Sequence, residues 1–137
     1  MERMNNDEFG LAIATLIILQ VKHFAFDYLF QNSYQLNNKG IYGHPGGVLH
    51  AVFHAAGTGL AVLVFHPWAL VSAAIVVADF LLHYHIDWVH KNVQEMLKRS
   101  GSEKGSYVAL GLDQMTHQIF YLGVAFALVV FGPPVGS

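Results

Sequence analysis

The sequence predicts an all-α, polytopic membrane protein: a bundle of four transmembrane helices, built as two helical hairpins within a single domain over residues 1–137. Three observations carry this. Only 12% of the chain is charged while 54% is hydrophobic, against roughly a quarter charged in ordinary soluble domains. Four apolar stretches each run for about 20 to 25 residues, roughly 30 to 37 Å as helix, enough to cross a hydrocarbon core of about 30 Å. No succession of alternating ten-residue segments is visible, and four spans are too few to close a barrel.

The first span covers about residues 9–30. Glu2, Asp7 and Glu8 precede it and no small-residue cleavage site follows, so a cleavable signal peptide is not expected. A polar loop, about 31–45, carries Asn32, Ser33, Asn37, Asn38, Lys39 and Gly40. The second span, about 46–65, ends at His66-Pro67, where proline suits a helix start better than an interior. The third span covers about 68–90. Residues 91–106 form the second polar loop, whose first part, Asn92 to Lys98, either extends the third helix or lies at the interface. The fourth span, about 107–131, stops at Gly132-Pro133-Pro134.

Four crossings put both long loops on one side. Those loops and their borders hold Lys39, Lys91, Lys98, Arg99 and Lys104, while the other side has Arg3 alone. The positive-inside rule then places the loops in the cytoplasm and both termini outside, with a bacterial inner or plasma membrane as the expected location. Zero Cys rules out disulfide stapling and thiolate chemistry. Seven Lys/Arg with no basic stripe give no footprint for nucleic acid. Walker, Rossmann, HExxH and nucleophile-elbow motifs are absent from the sequence.

Each span instead carries an ionisable pair at spacing four: His23 and Asp27, His50 and His54, His83 and Asp87, Asp113 and His117. Residues four apart share a helical face. With alternating helix directions all four pairs fall toward the side of the two long loops. His23-Phe24-Ala25-Phe26-Asp27-Tyr28-Leu29-Phe30 is echoed by His83-Tyr84-His85-Ile86-Asp87-Trp88-Val89-His90, so the hairpins read as parallel repeats about an axis near the membrane normal.

Carboxylates in hydrocarbon cost several kcal/mol unless compensated. Divalent cations compensate them, and imidazole nitrogen with carboxylate oxygen suits zinc, iron or manganese. Zinc usually takes four ligands, so eight candidates fit two ions better than one. The expected metal ligands are therefore His23, Asp27, His50, His54, His83, Asp87, Asp113 and His117, with zinc or iron favoured. Asp79, Gln31, Lys91, Gln114 and His44 are candidates for supporting contacts. Lys22, adjacent to His23, is expected to point elsewhere, toward a carboxylate or the interface. His85 and His90 lie off the His83–Asp87 stripe, and His66 marks the turn. Two metal-free readings stand beside this one: a proton or ion path, and a purely structural polar network.

A dinuclear enzyme is the leading functional expectation, a hydrolase before an oxidoreductase, acting on a lipid or other amphiphilic substrate at the cytoplasmic interface. Asp27, Asp87 or Asp113 would bridge metals or act as base. A transporter or channel component is the second class. It requires polar residues continuing to the far side, whereas helix one before Gln20, helix two after Thr58 and helix four after Gln118 are almost wholly apolar. An accessory protein with a stabilising metal is the third. A homodimer would suit so small a chain.

Lys22-His23-Phe24-Ala25-Phe26-Asp27-Tyr28-Leu29-Phe30-Gln31 resembles the opening motif, His-x3-Asp-Phe-x2-Gln, of a bacterial membrane family called domain of unknown function 3307, with Tyr28 in place of the usual Phe. His50 with His54, His83-x3-Asp87-Trp88 with Lys91, and Asp113-Gln114-x2-His117 resemble its later blocks. Lys39 matches the Lys that often follows the first. The resemblance covers about residues 12–130. It implies a small polytopic protein and no particular activity. A more distant likeness is to small His/Asp-rich membrane proteins labelled metal-dependent hydrolases.

Overall fold

The computed structural model describes residues 6–63 and 68–131. Its elements are α1 (Asn6–Phe24), a π turn (Ala25–Leu29), α2 (Ser33–Asn38), α3 (Pro45–Leu63), α4 (Ala69–Arg99) and α5 (Glu103–Phe131). Four helices are long and apolar enough to cross a membrane: α1 with its π turn, α3, α4 and α5. The His66-Pro67 turn, Arg3 and the Gly132-Pro133-Pro134 stop lie outside the described residues.

The four long helices form a ring in which α1 packs on α3, α3 on α4, α4 on α5 and α5 on α1. Each neighbour runs antiparallel to the next: His54 meets His83 while Thr58 meets Asp79 four residues earlier on α4. Burial is inverted relative to a soluble bundle. Phe9, Ile17, Val21, Leu60, Leu70, Leu122 and Phe126 face outward, while Lys22, five histidines, Asp79, Asp87 and Asp113 are buried. An apolar exterior around a polar interior is what a bilayer solvent selects. One half of the interior is apolar, formed by Leu19, Ala61, Val62, Ile75, Val124 and Leu128 with the ring of Tyr121. The polar half lies toward α2 and the α4–α5 connection.

The 31–45 loop holds a short helix that was not expected, and the Asn92–Lys98 stretch extends the third long helix, one of its two readings. Within 31–45, α2 forms because Asn32 and Gln35 make a reciprocal capping box: Asn32 Oδ1 accepts from Gln35 N–H at 3.0 Å and Gln35 Oε1 accepts from Asn32 N–H at 3.1 Å. Gly43, at φ 76°, then turns the chain into α3. The 91–106 segment is almost all helix. α4 runs on to Arg99 with Lys91–Glu95 at 3.1 Å and Lys98–Glu95 at 3.6 Å along its surface, and α5 begins at Glu103. Falling hydropathy marks where the apolar span ends, and helix formers such as Gln94, Glu95, Met96 and Lys98 continue past it. Only residues 100–102 break the helix, with Gly101 at φ 77°.

Candidate metal centre

The π turn is the local feature that aims the first pair. Phe30 N–H donates to Ala25 O at 2.9 Å, an i to i+5 bond that widens the helix just where Asp27 sits. Asp27 then reaches three imidazoles: its Oδ2 lies 3.0 Å from His23 Nε2, and its Oδ1 lies 3.0 Å from His50 Nε2 and 3.2 Å from His54 Nε2.

Asp87, on α4 across the bundle, does the same for the other side. Its Oδ1 is 3.2 Å from His117 Nε2, and its Oδ2 is 3.1 Å from His50 Nε2 and 3.8 Å from His83 Nε2. Asp113 Oδ1 approaches His117 Nε2 at 3.6 Å. The rings crowd one another, with His54 and His83 stacked at 3.6 Å between centroids and His83 and His117 at 4.2 Å. All eight expected ligands thus converge, each contributed at the register that spacing four dictates.

This convergence leaves polar atoms without hydrogen-bond partners. Both ring nitrogens of His54 and of His83, Asp27 Oδ1 and Asp113 Oδ1 are buried and make no hydrogen bond; the contact of His54 Nε2 with Asp27 is close but not in hydrogen-bond alignment. Such groups cost roughly 1 to 3 kcal/mol each when left alone. Three overlapping sets have ligand atoms within 4.8 Å of one another: Asp27 with His50, His54 and His83; His23 with His83 and His117; Asp87 with Asp113 and His117. Neutral imidazole and carboxylate in these sets fit the donor chemistry of a zinc, iron or manganese ion.

The supporting residues divide. Gln31 Nε2 lies 3.1 Å from His50 Nδ1, and Gln114 Oε1 lies 3.1 Å from His23 Nε2, while Gln114 Nε2 donates to Asp113 Oδ2 at 3.2 Å. Asp79 does not serve a histidine. It is turned away by Thr58, whose hydroxyl donates to Oδ2 at 2.9 Å, and by Lys22 at 3.4 Å. Lys22 does find a carboxylate, as expected. His44 stands apart from the cluster: its Nδ1 accepts from Gly46 N–H at 3.0 Å, and its ring packs on Tyr34. Lys91 is paired with Glu95 and reaches the cluster only as a wall of the adjoining cavity. His85 is exposed against Tyr42 and Leu81, and His90 lines the cavity.

Two contacts have no antecedent in the spacing argument. Tyr121 Oη lies 3.0 Å from His23 Nδ1, and Lys39 Nζ donates to Asp87 Oδ2 at 3.2 Å. Tyr121 is four residues after His117, so the same stripe extended one turn would have found it. Lys39 is delivered from the α2 segment, and no helical period relates it to Asp87. Burial works against the charge of Lys39, but Asp87, with Asp27 and Asp113 nearby, outweighs it and raises its pKa above the ordinary lysine value.

A cavity of about 250 Å³ opens onto the cluster, lined by Asp27, Asp87 and Asp113 together with Lys39, Lys91 and Tyr28.

Residues 15–133 match a family described as a protein of unknown function, DUF3307. No curated protein and no solved structure matches the chain.

Proposed function

From its membership of the DUF3307 family, which carries no assigned activity, no chemistry follows, and we propose one from the geometry: a membrane-embedded dinuclear metalloenzyme of hydrolase type, acting on an amphiphilic substrate at the cytoplasmic interface. The observation that carries it is the set of unpartnered nitrogens on His54 and His83, buried among convergent carboxylates. Hydrogen bonding inside the protein does not satisfy them, and bound cations would.

The two carboxylates with most contacts divide the cluster. Asp27 would join the ion held with His50, His54 and His83. Asp87 would join the one held with Asp113 and His117, and His23 lies between them. Two adjacent divalent ions supply Lewis acidity and a nucleophilic water near neutral pH. Tyr121 and Gln114 hold the His23 ring, Gln31 holds His50, and Lys39 offsets one charge of Asp87. Asp113 borders the cavity with an unpartnered Oδ1 and is the carboxylate best placed to take a proton from an attacking water.

A hydrolase is favoured over a transporter because the polar cluster ends inside the molecule. Leu19, Val62, Ile75, Val124 and Leu128 close the other half of the interior. The lysines and Arg99 at that end support a cytoplasmic orientation of the mouth.

Elemental analysis of the detergent-purified chain tests the reading. About two divalent ions per chain are expected, falling sharply in His54→Ala and His83→Ala. Near-zero metal under non-chelating conditions, unchanged by added zinc, iron or manganese, would overturn it.

A further inference from the structure

The cavity above the cluster has two unlike sides, and their difference bears on what it accepts. The π turn packs on α1 and α3 but makes no close backbone approach to α5. The resulting fissure is flanked by Tyr28 on one side and Ala109 and Leu110 on the other, with Tyr28 and Leu110 both exposed. This fissure lies between two of the helices long and apolar enough to cross a membrane. The rest of the lining is polar and basic, with Lys39 and Lys91 beside Asp27, Asp87 and Asp113. Lys91 also lines a second, outward cavity with Asn92, Glu95 and Arg99.

Volume and charge narrow the ligand. About 250 Å³ is below the roughly 300 to 1,000 Å³ of pockets that enclose a whole drug-sized molecule. A headgroup fits inside while a chain must leave through the fissure. Asp27, Asp87 and Asp113 with Lys39 carry two net negative charges when the imidazoles are neutral, as metal binding requires. Two divalent ions reverse that to two positive charges. Glu95 already offsets Lys91 at 3.1 Å. A dianion closes the balance, whereas a neutral ester or a zwitterion leaves buried charge uncompensated.

We propose that this cavity binds the phosphate monoester headgroup of a single-chain lipid, with Lys39 and Lys91 on the phosphate oxygens and the chain passing between Tyr28 and Leu110 into the bilayer. The proposal rests on the dinuclear reading and gives it a substrate class.

The test is equilibrium binding to the metal-analysed chain in maltoside detergent, using dodecyl phosphate, inorganic phosphate and dodecanol as probes. Dodecyl phosphate is expected to bind at least tenfold more tightly than either of the others. Lys39→Gln should weaken both phosphates about tenfold. Leu110→Trp, which obstructs the fissure, should weaken dodecyl phosphate and leave inorganic phosphate unchanged. Equal affinity for dodecyl phosphate and inorganic phosphate would overturn the proposal in favour of free phosphate. Equal affinity for dodecyl phosphate and dodecanol would overturn it in favour of a plain apolar groove. Because these comparisons are made first on the unaltered chain, they do not depend on any variant folding. A protein with its full metal content that fails them sinks this inference alone, whereas a protein that takes up no metal sinks the reading beneath it as well.

Discussion

Lys22 on α1 and Asp79 on α4 form a buried ion pair across the bundle, Nζ to Oδ2 at 3.4 Å, one turn deeper than the histidine cluster. Nζ also donates to Thr58 Oγ1 at 2.8 Å and to the His54 carbonyl at 3.1 Å, and it lies 4.9 Å from the centroid of the Tyr121 ring. The pair therefore joins α1, α3 and α4 and braces the helix turn that carries His54. Removing one partner strands the other charge, typically at about 3 to 5 kcal/mol, while an apolar replacement of both avoids that penalty. Lys22→Met and Asp79→Leu are each expected to lower the detergent unfolding temperature markedly, and the double variant less than either. A double variant at least as unstable as the worse single one would show that the charges themselves, rather than their mutual compensation, hold the helices.

His54 and His83 give the sharpest test of the centre, because neither ring has a hydrogen bond to lose. In a metal-free structural network, replacing either would relieve strain. In a metal centre, it removes a ligand. His54→Ala and His83→Ala should both lose metal, while His44→Ala and His85→Ala, which stand outside the cluster, should keep the full complement. Chelation of the unaltered protein should lower its unfolding temperature, since an ion that binds only the folded state stabilises it by mass action. Elemental analysis and thermal unfolding on the same samples decide this.

Tyr121→Phe probes support rather than ligation. Its hydroxyl, 3.0 Å from His23 Nδ1, fixes which ring nitrogen faces the cluster. Loss of such an outer contact typically costs about 10- to 100-fold in metal affinity. The variant should accordingly bind metal more weakly in a competition titration, with its stoichiometry restored at high metal concentration. Unchanged affinity would remove Tyr121 from the centre.

What could be read from the sequence followed helical period. The four spacing-four pairs predicted the shared face and the common depth, because 3.6 residues per turn converts spacing directly into direction. Period says nothing about residues delivered by connections. Lys39 reaches Asp87 only because α2 folds back over the cluster, and nothing within a single helix announces that contact. Asp79 shows the opposite limit. Its spacing from His83 was correct for a supporting acceptor, yet Lys22 and Thr58 on neighbouring helices claimed it. Helix α4 continues through Asn92–Lys98, one of the two readings of that stretch, and α5 begins before the expected span at 107, because hydropathy reports where the apolar span ends and not the last helical hydrogen bond.

Asn32→Ala tests whether the capping box holds α2, the segment that leads into Lys39. The substitution removes the side-chain acceptor for Gln35 N–H, while the backbone N–H of residue 32 still donates to the buried Gln35 Oε1. Losing such a cap costs about 1 kcal/mol. Amide exchange across residues 33–38 should therefore quicken about fivefold while exchange in α3 and α4 stays unchanged. Metal content should be retained, since no residue of α2 belongs to the convergent sets. Exchange that is unaltered in α2 would mean that packing of Gln35, and not the cap, holds the segment.

Gly57 sits where helix propensity and packing oppose each other. In isolation, Gly→Ala in a helix gains up to about 1 kcal/mol. At Gly57 an added Cβ would lie 2.6 Å from Phe26 Cε2 and 2.8 Å from Lys22 Cγ, too close without movement. Lys22 cannot yield freely, because its head is tied to Asp79, Thr58 and the His54 carbonyl, and Phe26 packs on the His54 ring at 5.4 Å. The clash therefore transmits to both the ion pair and the histidine cluster. Gly111, with nothing within 4 Å of its own added Cβ, provides the control. Gly57→Ala is expected to lower the unfolding temperature and Gly111→Ala to leave it unchanged or raise it. A neutral Gly57→Ala would show that α1 and α3 can separate without cost, and the close approach that buries Lys22 would lose its structural importance.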